Sequence, residues 1–483
     1  MISASNVRAC ALAAVVAAGF VAGCQSAGPR TASEYRADQA ESRNMRLVGY
    51  SDLQARSAYQ PLIHQQGGRW IAYIGHHGGT HPNPMTGAQE NNGTSIVDVT
   101  DPGSPKYLAH IPGAAGGPES GGAQMVRVCD GRVLPKGDRS KVYLLRSLGN
   151  IGHEMWDVTA PGKPVMVTTI VKGLKGTHKS WWECNTGIAY LISGDPEWRS
   201  RRMTKIYDLS DPAKPVFIRN FGRPGDEPGA KGPLPMTLHG PISVPERNRV
   251  YFGYGTNHSG TLQIVDRDKL LNGPKEPTPQ NLLAPQVSKL DLPEYHGAHT
   301  TLPLLGMPIA EFQKNKVGAT KDFVMIVDEQ IVNECMEARQ MVFFADITDE
   351  KRPMTVSNFN VPESPGGYCS RGGRFGAHSS NENMPPMYAK RVVFVTWFNA
   401  GLRALDIRDP YNPKEIGYYI PAITEKTDKR CVKTPQGERC KIAIQSNNVE
   451  VDDRGYIYVV DRADTGMHIL ELTGSAREVA DFR

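Results

Sequence analysis

Apolar residues in this chain come in short runs that close on an acidic residue and a turn. Ile96-Val97-Asp98-Val99-Thr100-Asp101-Pro102 returns as Met155-Trp156-Asp157-Val158-Thr159-Ala160-Pro161 and as Ile206-Tyr207-Asp208-Leu209-Ser210-Asp211-Pro212. Weaker copies follow at Ile264-Val265-Asp266, Phe344-Ala345-Asp346-Ile347-Thr348-Asp349, Leu405-Asp406-Ile407-Arg408-Asp409-Pro410 and Ile469-Leu470-Glu471-Leu472. The acid thus recurs at steps of 59, 51, 58, 80, 60 and 65, and self-similarity at such a period marks a repeat architecture.

Each copy divides into four strand-sized pieces with turn signals between them. In the third copy these are residues 178–184, 187–193, 204–209 and 216–221; in the sixth, 378–383, 391–397, 402–407 and 415–420. Four antiparallel strands at this spacing make one propeller blade. Asp-Pro-x-x-Pro, as in residues 211–215, suits the turn between third and fourth strands, because proline fixes φ and needs no donor there. Seven units can be counted, giving an all-β, seven-bladed β-propeller. The last unit has strands at 447–451, 456–461 and 467–472 and then runs out of chain before a fourth. The missing strand lies at the other end: residues 45–50, Met-Arg-Leu-Val-Gly-Tyr, look like residues 414–419. Pairing that strand with the last blade closes the ring and removes an open sheet edge, which argues against a solenoid with two capped ends.

The repeats resemble those of bacterial LVIVD-repeat propeller proteins, above all in Trp397-Phe398-Asn399-Ala400-Gly401-Leu402-Arg403-Ala404-Leu405-Asp406-Ile407-Arg408-Asp409-Pro410 and in residues 447–462. The resemblance covers about residues 45–475. It implies the propeller fold and export, and leaves the biochemical role open.

Composition fits this picture and adds an address. Gly 49 and Pro 36 suit a chain of strands and turns, and roughly 440 mature residues can bury a large core. A net charge of +5, with Lys and Arg scattered, gives no reason to expect nucleic acid as a partner. Arg8, an apolar run from Ala9 to Val21, and then Val21-Ala22-Gly23-Cys24 read as a secretion signal over residues 1–23. The ending resembles a lipobox with Cys24 as the lipid-bearing residue, since the apolar run is short for a bilayer span. Gln25 in place of Asp favours the outer membrane under enterobacteria-like sorting. Residues 24–44 then read as a polar tether, 45–475 as the propeller and 476–483 as a C-terminal tail. The expected partners are the membrane, through the lipid, and a small molecule or envelope protein.

Aligning the blades on the acidic residue also aligns the first strand, which lines the central channel. That register holds Gln124, His178, His239, His299, His378 and Gln445, with the first blade ambiguous around Gln60. Four consecutive blades therefore place histidine on one ring, at spacings of 61, 60 and 79 that no linear metal motif shares. Four neutral imidazoles converging on one point suit Fe, Cu or Zn, and an all-histidine site with open positions favours redox or Lewis-acid chemistry. Carotenoid oxygenases and the selenium-binding/methanethiol oxidase proteins are similar in arrangement only. Asp195, Glu197, Asp328, Glu329 and Asp461 follow second strands and so reach the same mouth, and His296 stands three residues before His299; these are the candidates to orient the ligands. His76, His77 and His81 read more readily as a solvated Gly/His loop, and His258 shares that class. First-strand histidines that simply pin neighbouring blades are the rival reading.

Six cysteines remain beyond Cys10 and Cys24, an even number that suits disulfides in an exported protein. Cys431 and Cys440 flank a turn-rich stretch. Cys129 and Cys184 end first strands of adjacent blades, and Cys335 and Cys369 share the mouth, where a bridge would pin residues 328–340 over the channel. No Cys-x-x-Cys, phosphate-binding glycine loop or Gly-x-Ser-x-Gly is present.

Overall fold

The computed structural model describes residues 36–308, 318–364 and 366–482; the signal, Cys24 and most of the tether lie outside these. Among the described residues seven sheets follow one another around a ring, one per repeat. Blade 3, with strands Trp181–Trp182, Ile188–Ser193, Met203–Asp208 and Val216–Phe221, is typical, and each strand is antiparallel to the one before it. The all-β, seven-bladed expectation therefore holds.

The repeated acid is the device that turns the chain. Asp98, Asp157, Asp208, Asp346 and Asp406 each end a third strand, and each Oδ1 accepts the backbone N–H two residues on, at 2.8–3.0 Å. Such Asx turns reverse the backbone without a partner strand. Blade 4 departs from the rule: Asp266 caps a short helix, Arg267–Asn272, accepting from the Lys269 N–H. That insertion contributes to the longest step of the repeat.

Among the described residues, seven apolar clusters fill the structure, one at each junction between adjoining blades. The junction of blades 7 and 1 is as dry as the rest, with Tyr458, Val460, Met467 and Ile469 against Ala72, Ile74 and Val97. Met45–Ser51 pairs with Met467–Leu472 and completes blade 7 as expected. The folded chain starts earlier than residue 45, however. Glu41–Arg43 adds a strand to the outer edge of blade 6, where Arg43 ion-pairs Glu415 at 2.8 Å. Asn44, at φ 55°, turns the chain from one blade to the next and donates to the Ile416 carbonyl at 2.7 Å. The C-terminal tail is likewise structured: Gly474–Val479 is a helix whose Ala476 is buried.

The first strand of blade 6 is reduced to a single bridge, Ser380 to Val395. Side chains take over its ladder: Asn381 Oδ1 accepts from Phe394 N–H at 2.8 Å, and the Glu450 carboxylate accepts from the Glu382 and Asn383 N–H groups at 3.0 Å. The expected bridges Cys129–Cys184, Cys335–Cys369 and Cys431–Cys440 are all present. The first ties the innermost strands of blades 2 and 3.

Candidate metal centre

The four register histidines enter the channel where the innermost strands begin. His239 sits in a bulge between Leu238 and Gly240, and the extra residue re-aims its side chain toward the axis. A second bulge, between Ala58 and Pro61, resolves the ambiguous blade: Tyr59, one residue before Gln60, is the side chain that arrives. The register pointed to within one residue of it.

All four rings are buried and form a chain of contacts. His178 and His239 bring their Nε2 atoms to 2.7 Å. His239 and His299 lie 3.6 Å apart, and His299 and His378 4.5 Å, between ring centroids. Tyr59 donates its hydroxyl to His178 Nε2 at 3.2 Å. Each outer nitrogen of three rings is fixed: His178 Nδ1 donates to Gln124 Oε1 at 3.2 Å, His378 Nδ1 to the Asn447 carbonyl at 2.5 Å, and His299 Nδ1 meets Thr300 Oγ1 at 2.9 Å. The inner atoms are not: His239 Nδ1, His299 Nε2 and His378 Nε2 are buried without a hydrogen-bond partner. An orphaned buried polar atom normally costs about 1–3 kcal/mol, so three in one place call for an explanation.

Glu329 stands over this group. Its carboxylate lies 4.0 Å from His299 Nε2 and 3.7 Å from His378 Nε2, and Arg374 holds it at 3.2 Å. His239, His299 and Glu329 each offer a ligand atom within 4.8 Å of the others. Metal–nitrogen bonds of about 2.0–2.1 Å put neighbouring ligand atoms about 2.9 Å apart at right angles and about 3.4 Å apart in a tetrahedron. From Glu329 to the His378 and His299 nitrogens the separations, 3.7 and 4.0 Å, are somewhat longer than these values. Burial above all, and then neighbouring positive charge, holds His178, His239, His299 and His378 well below the usual imidazole range, so their lone pairs are available near neutral pH.

Of the carboxylates expected at the mouth, Glu329 alone reaches the rings. Asp195 pairs with Lys205 at 2.5 Å, Glu197 is exposed, and Asp461 accepts the Gln445 and Ala463 N–H groups to shape its own turn. Asp328 accepts from His296 Nδ1 at 2.8 Å, and burial pushes its carboxyl up to about 6; the pair stays beside the cluster. Loop length past a strand end is not set by the repeat, so equal register at the strand end gives each of these groups a different partner. His76 and His77 are no solvated loop: they end the strand Arg69–His77, fully buried, with His77 edge-on to Tyr59 at 5.2 Å. His81 is half-buried and His258 exposed. The second mouth group that could hold an ion, Cys431, Glu438 and Cys440, is closed by its disulfide.

Phe398 was not anticipated. Its ring lies 4.8 Å from His378 although its backbone is in the left-handed region, φ 35°. A residue of this bulk holds that conformation at a cost of about 1–3 kcal/mol, and such strain concentrates at functional sites. No helix among the described residues is long and apolar enough to cross a membrane.

No protein-family model and no curated protein sequence matches this chain. Among solved structures, the Cps50 (Swd1) β-propeller domain of Myceliophteria thermophila is similar with a TM-score of 0.47 and 9% identity, covering 90% of this chain and 100% of that one. A computationally designed protein, Ika8, gives 0.43 and 8% over 88% of this chain and 100% of its own. The propeller therefore rests on the strand topology itself, and the LVIVD likeness remains one of sequence pattern.

Proposed function

We propose that this chain is an exported, lipid-anchored propeller that carries one transition-metal ion, Fe, Cu or Zn, in its channel mouth and uses it for redox or Lewis-acid chemistry on a small molecule. His239, His299, His378 and Glu329 are the direct ligands, with His178 joining through its contact with His239. The observation that carries this reading is the meeting of His239, His299 and Glu329 within 4.8 Å of one another, with the unpartnered His378 Nε2 3.7 Å from the same carboxylate. Gln124, Asn447 and Thr300 fix the outer nitrogens, as partners of metal-bound imidazoles do. Mixed imidazole and carboxylate donors suit Fe, Cu and Zn alike, so the donor set does not choose among them.

The experiment is elemental analysis of protein purified after native export, beside His178→Ala, His239→Ala, His299→Ala and His378→Ala. The expected result is one ion per chain in the wild type and loss in the variants. Absence of stoichiometric metal, or its retention in all four, overturns the proposal and leaves a non-catalytic propeller that binds an envelope protein or glycan through its loop face. A redox-silent ion removes the oxidoreductase reading and keeps the Lewis-acid one. Cys24→Ser should release the protein from the membrane fraction.

A further inference from the structure

A cavity of about 340 Å³ opens between the connection that leads from blade 3 to blade 4 and the two outer strands of blade 4, Thr261–Asp266 and Gln286–Asp291. None of its lining residues belongs to the histidine cluster. Its volume is at the small end of the range that ligand pockets span, about 300–1,000 Å³. The wall supplied by the connection is held in place before any ligand arrives. Arg199 donates to the Gly225 and Gly232 carbonyls, both at 2.8 Å, and Glu227 accepts the Gly225 N–H at 2.7 Å, which clamps the proline-rich stretch 223–235.

The lining holds two cations and no carboxylate. Lys289 is engaged by Asp291, which stands outside the lining. Arg223 is not engaged in this way: among the described residues no carboxylate forms an ion pair with it. Its Nη1 donates to the Thr261 hydroxyl at 3.3 Å, its guanidinium lies over the Tyr254 ring 5.4 Å from the centroid, and Asp226 accepts only from its backbone N–H, at 3.0 Å. A guanidinium already held against an aromatic face loses little freedom when an anion docks on it. Beside it, Gln286 Oε1 accepts from Gln263 Nε2 at 2.9 Å, and Gln263 Oε1 accepts from the Tyr254 hydroxyl at 3.0 Å. That order leaves the Gln286 amide N–H groups free to donate. Leu234 and Leu283, both exposed, join Pro233 and Pro235 as an aliphatic wall. One guanidinium fork matches the two oxygens of a carboxylate, whereas a phosphate calls for more donors, and Lys289 is already engaged.

We propose that this cavity binds a small aliphatic carboxylate, with Arg223 and the Gln286 amide on its oxygens and its hydrocarbon body against Leu234 and Leu283. The site shares no residue with the proposed metal centre and stands or falls apart from it. Because the wall is aliphatic, hexanoate is the probe, with hexanamide as its neutral match in shape.

The test is titration calorimetry on the purified exported protein, for wild type, Arg223→Gln, Arg223→Lys and Leu234→Ser. Hexanoate should bind saturably to the wild type, about five- to tenfold more tightly than hexanamide, as a charge-assisted contact requires. Arg223→Gln should erase that preference and Arg223→Lys should keep part of it. Leu234→Ser should weaken both ligands about threefold and leave their ratio unchanged. Circular dichroism establishes that each variant is folded, and Arg223→Lys with Leu234→Ser decides the matter if Arg223→Gln is not. No saturable hexanoate binding, or the same hexanoate-to-hexanamide ratio in wild type and Arg223→Gln, overturns the proposal. Acetate binding as tightly as hexanoate overturns the role of the aliphatic wall, and inorganic phosphate binding more tightly than hexanoate overturns the carboxylate assignment. Removing metal with a chelator should alter neither affinity; loss of hexanoate binding on chelation would place the anion at the histidines and overturn this site.

Discussion

Two polar layers lie one above the other in the channel, and they are finished differently. At the mouth, ring nitrogens of His239, His299 and His378 are buried with nothing bound to them. One residue deeper, Lys179 gives its ammonium to Glu382 at 2.5 Å and to Thr300 at 2.9 Å, and Arg127 reaches the other Glu382 oxygen at 2.5 Å and the Ser180 carbonyl at 2.9 Å. Both layers come from the same strands, so the scaffold does not explain the contrast. Where a fold needs buried charge for itself, it supplies nearly every partner. Where it leaves several acceptors close together, the proposed metal would be the partner.

The sharpest way to break this comparison is Glu382→Ala. It strands two buried cations, and should cost about 3–5 kcal/mol in denaturant unfolding. His299→Ala removes a ring whose Nε2 has no hydrogen-bond partner and whose Nδ1 meets Thr300, and should cost about 1–2 kcal/mol in the metal-free protein. If the histidine variant proves the more damaging, the mouth is structural and the contrast fails.

Acid separates the deep ion pairs from histidines buried elsewhere in the blades. Burial would raise the Glu382 carboxyl, but the Arg127 and Lys179 cations outweigh it and hold it below its ordinary value, so this carboxylate stays charged. Histidines on the third strands of blades 2 and 7 behave oppositely: burial holds His153 and His468 down at about 4. These groups bind protons more readily in the unfolded chain, at about 6.5, so their cost is absent above that pH and grows as pH falls toward 4. Each should remove about 2 kcal/mol between pH 6.5 and 5. Melting temperatures at pH 7, 6 and 5 check this, and a flat profile over that window contradicts it.

The smallest effect is the most diagnostic. Gln124→Leu deletes the acceptor that fixes His178, and should weaken metal binding about 10–100-fold while leaving the melting temperature of the metal-free protein nearly unchanged. Competition against a chelator of known affinity measures it; unchanged affinity would remove His178 from the centre.

The ring, its closure and two of the three disulfides were legible because each follows from the repeat register, while Cys431–Cys440 followed from the turn-rich stretch between them: Asp208 marks a strand end, and Met45 replaces the strand that the last blade lacks. The histidine ring was legible for the same reason. Tyr59 was displaced by one position because a bulge breaks the count of two residues per pleat. Arg223 and Arg374 could not be read, since they lie on loops of unequal length that share no register. The same holds in reverse for Glu197, which has the right loop and the wrong reach.

The way the N-terminus is stitched in has a mechanical meaning. Any pull on the chain ahead of Glu41 loads first a three-residue strand on the rim of blade 6, and only then, beyond the Asn44 turn, the seven-residue strand that closes the ring. A short edge strand peels before a long one. Glu41–Arg43 would therefore act as a fuse if the chain is tethered as proposed, yielding ahead of the strand that closes the ring.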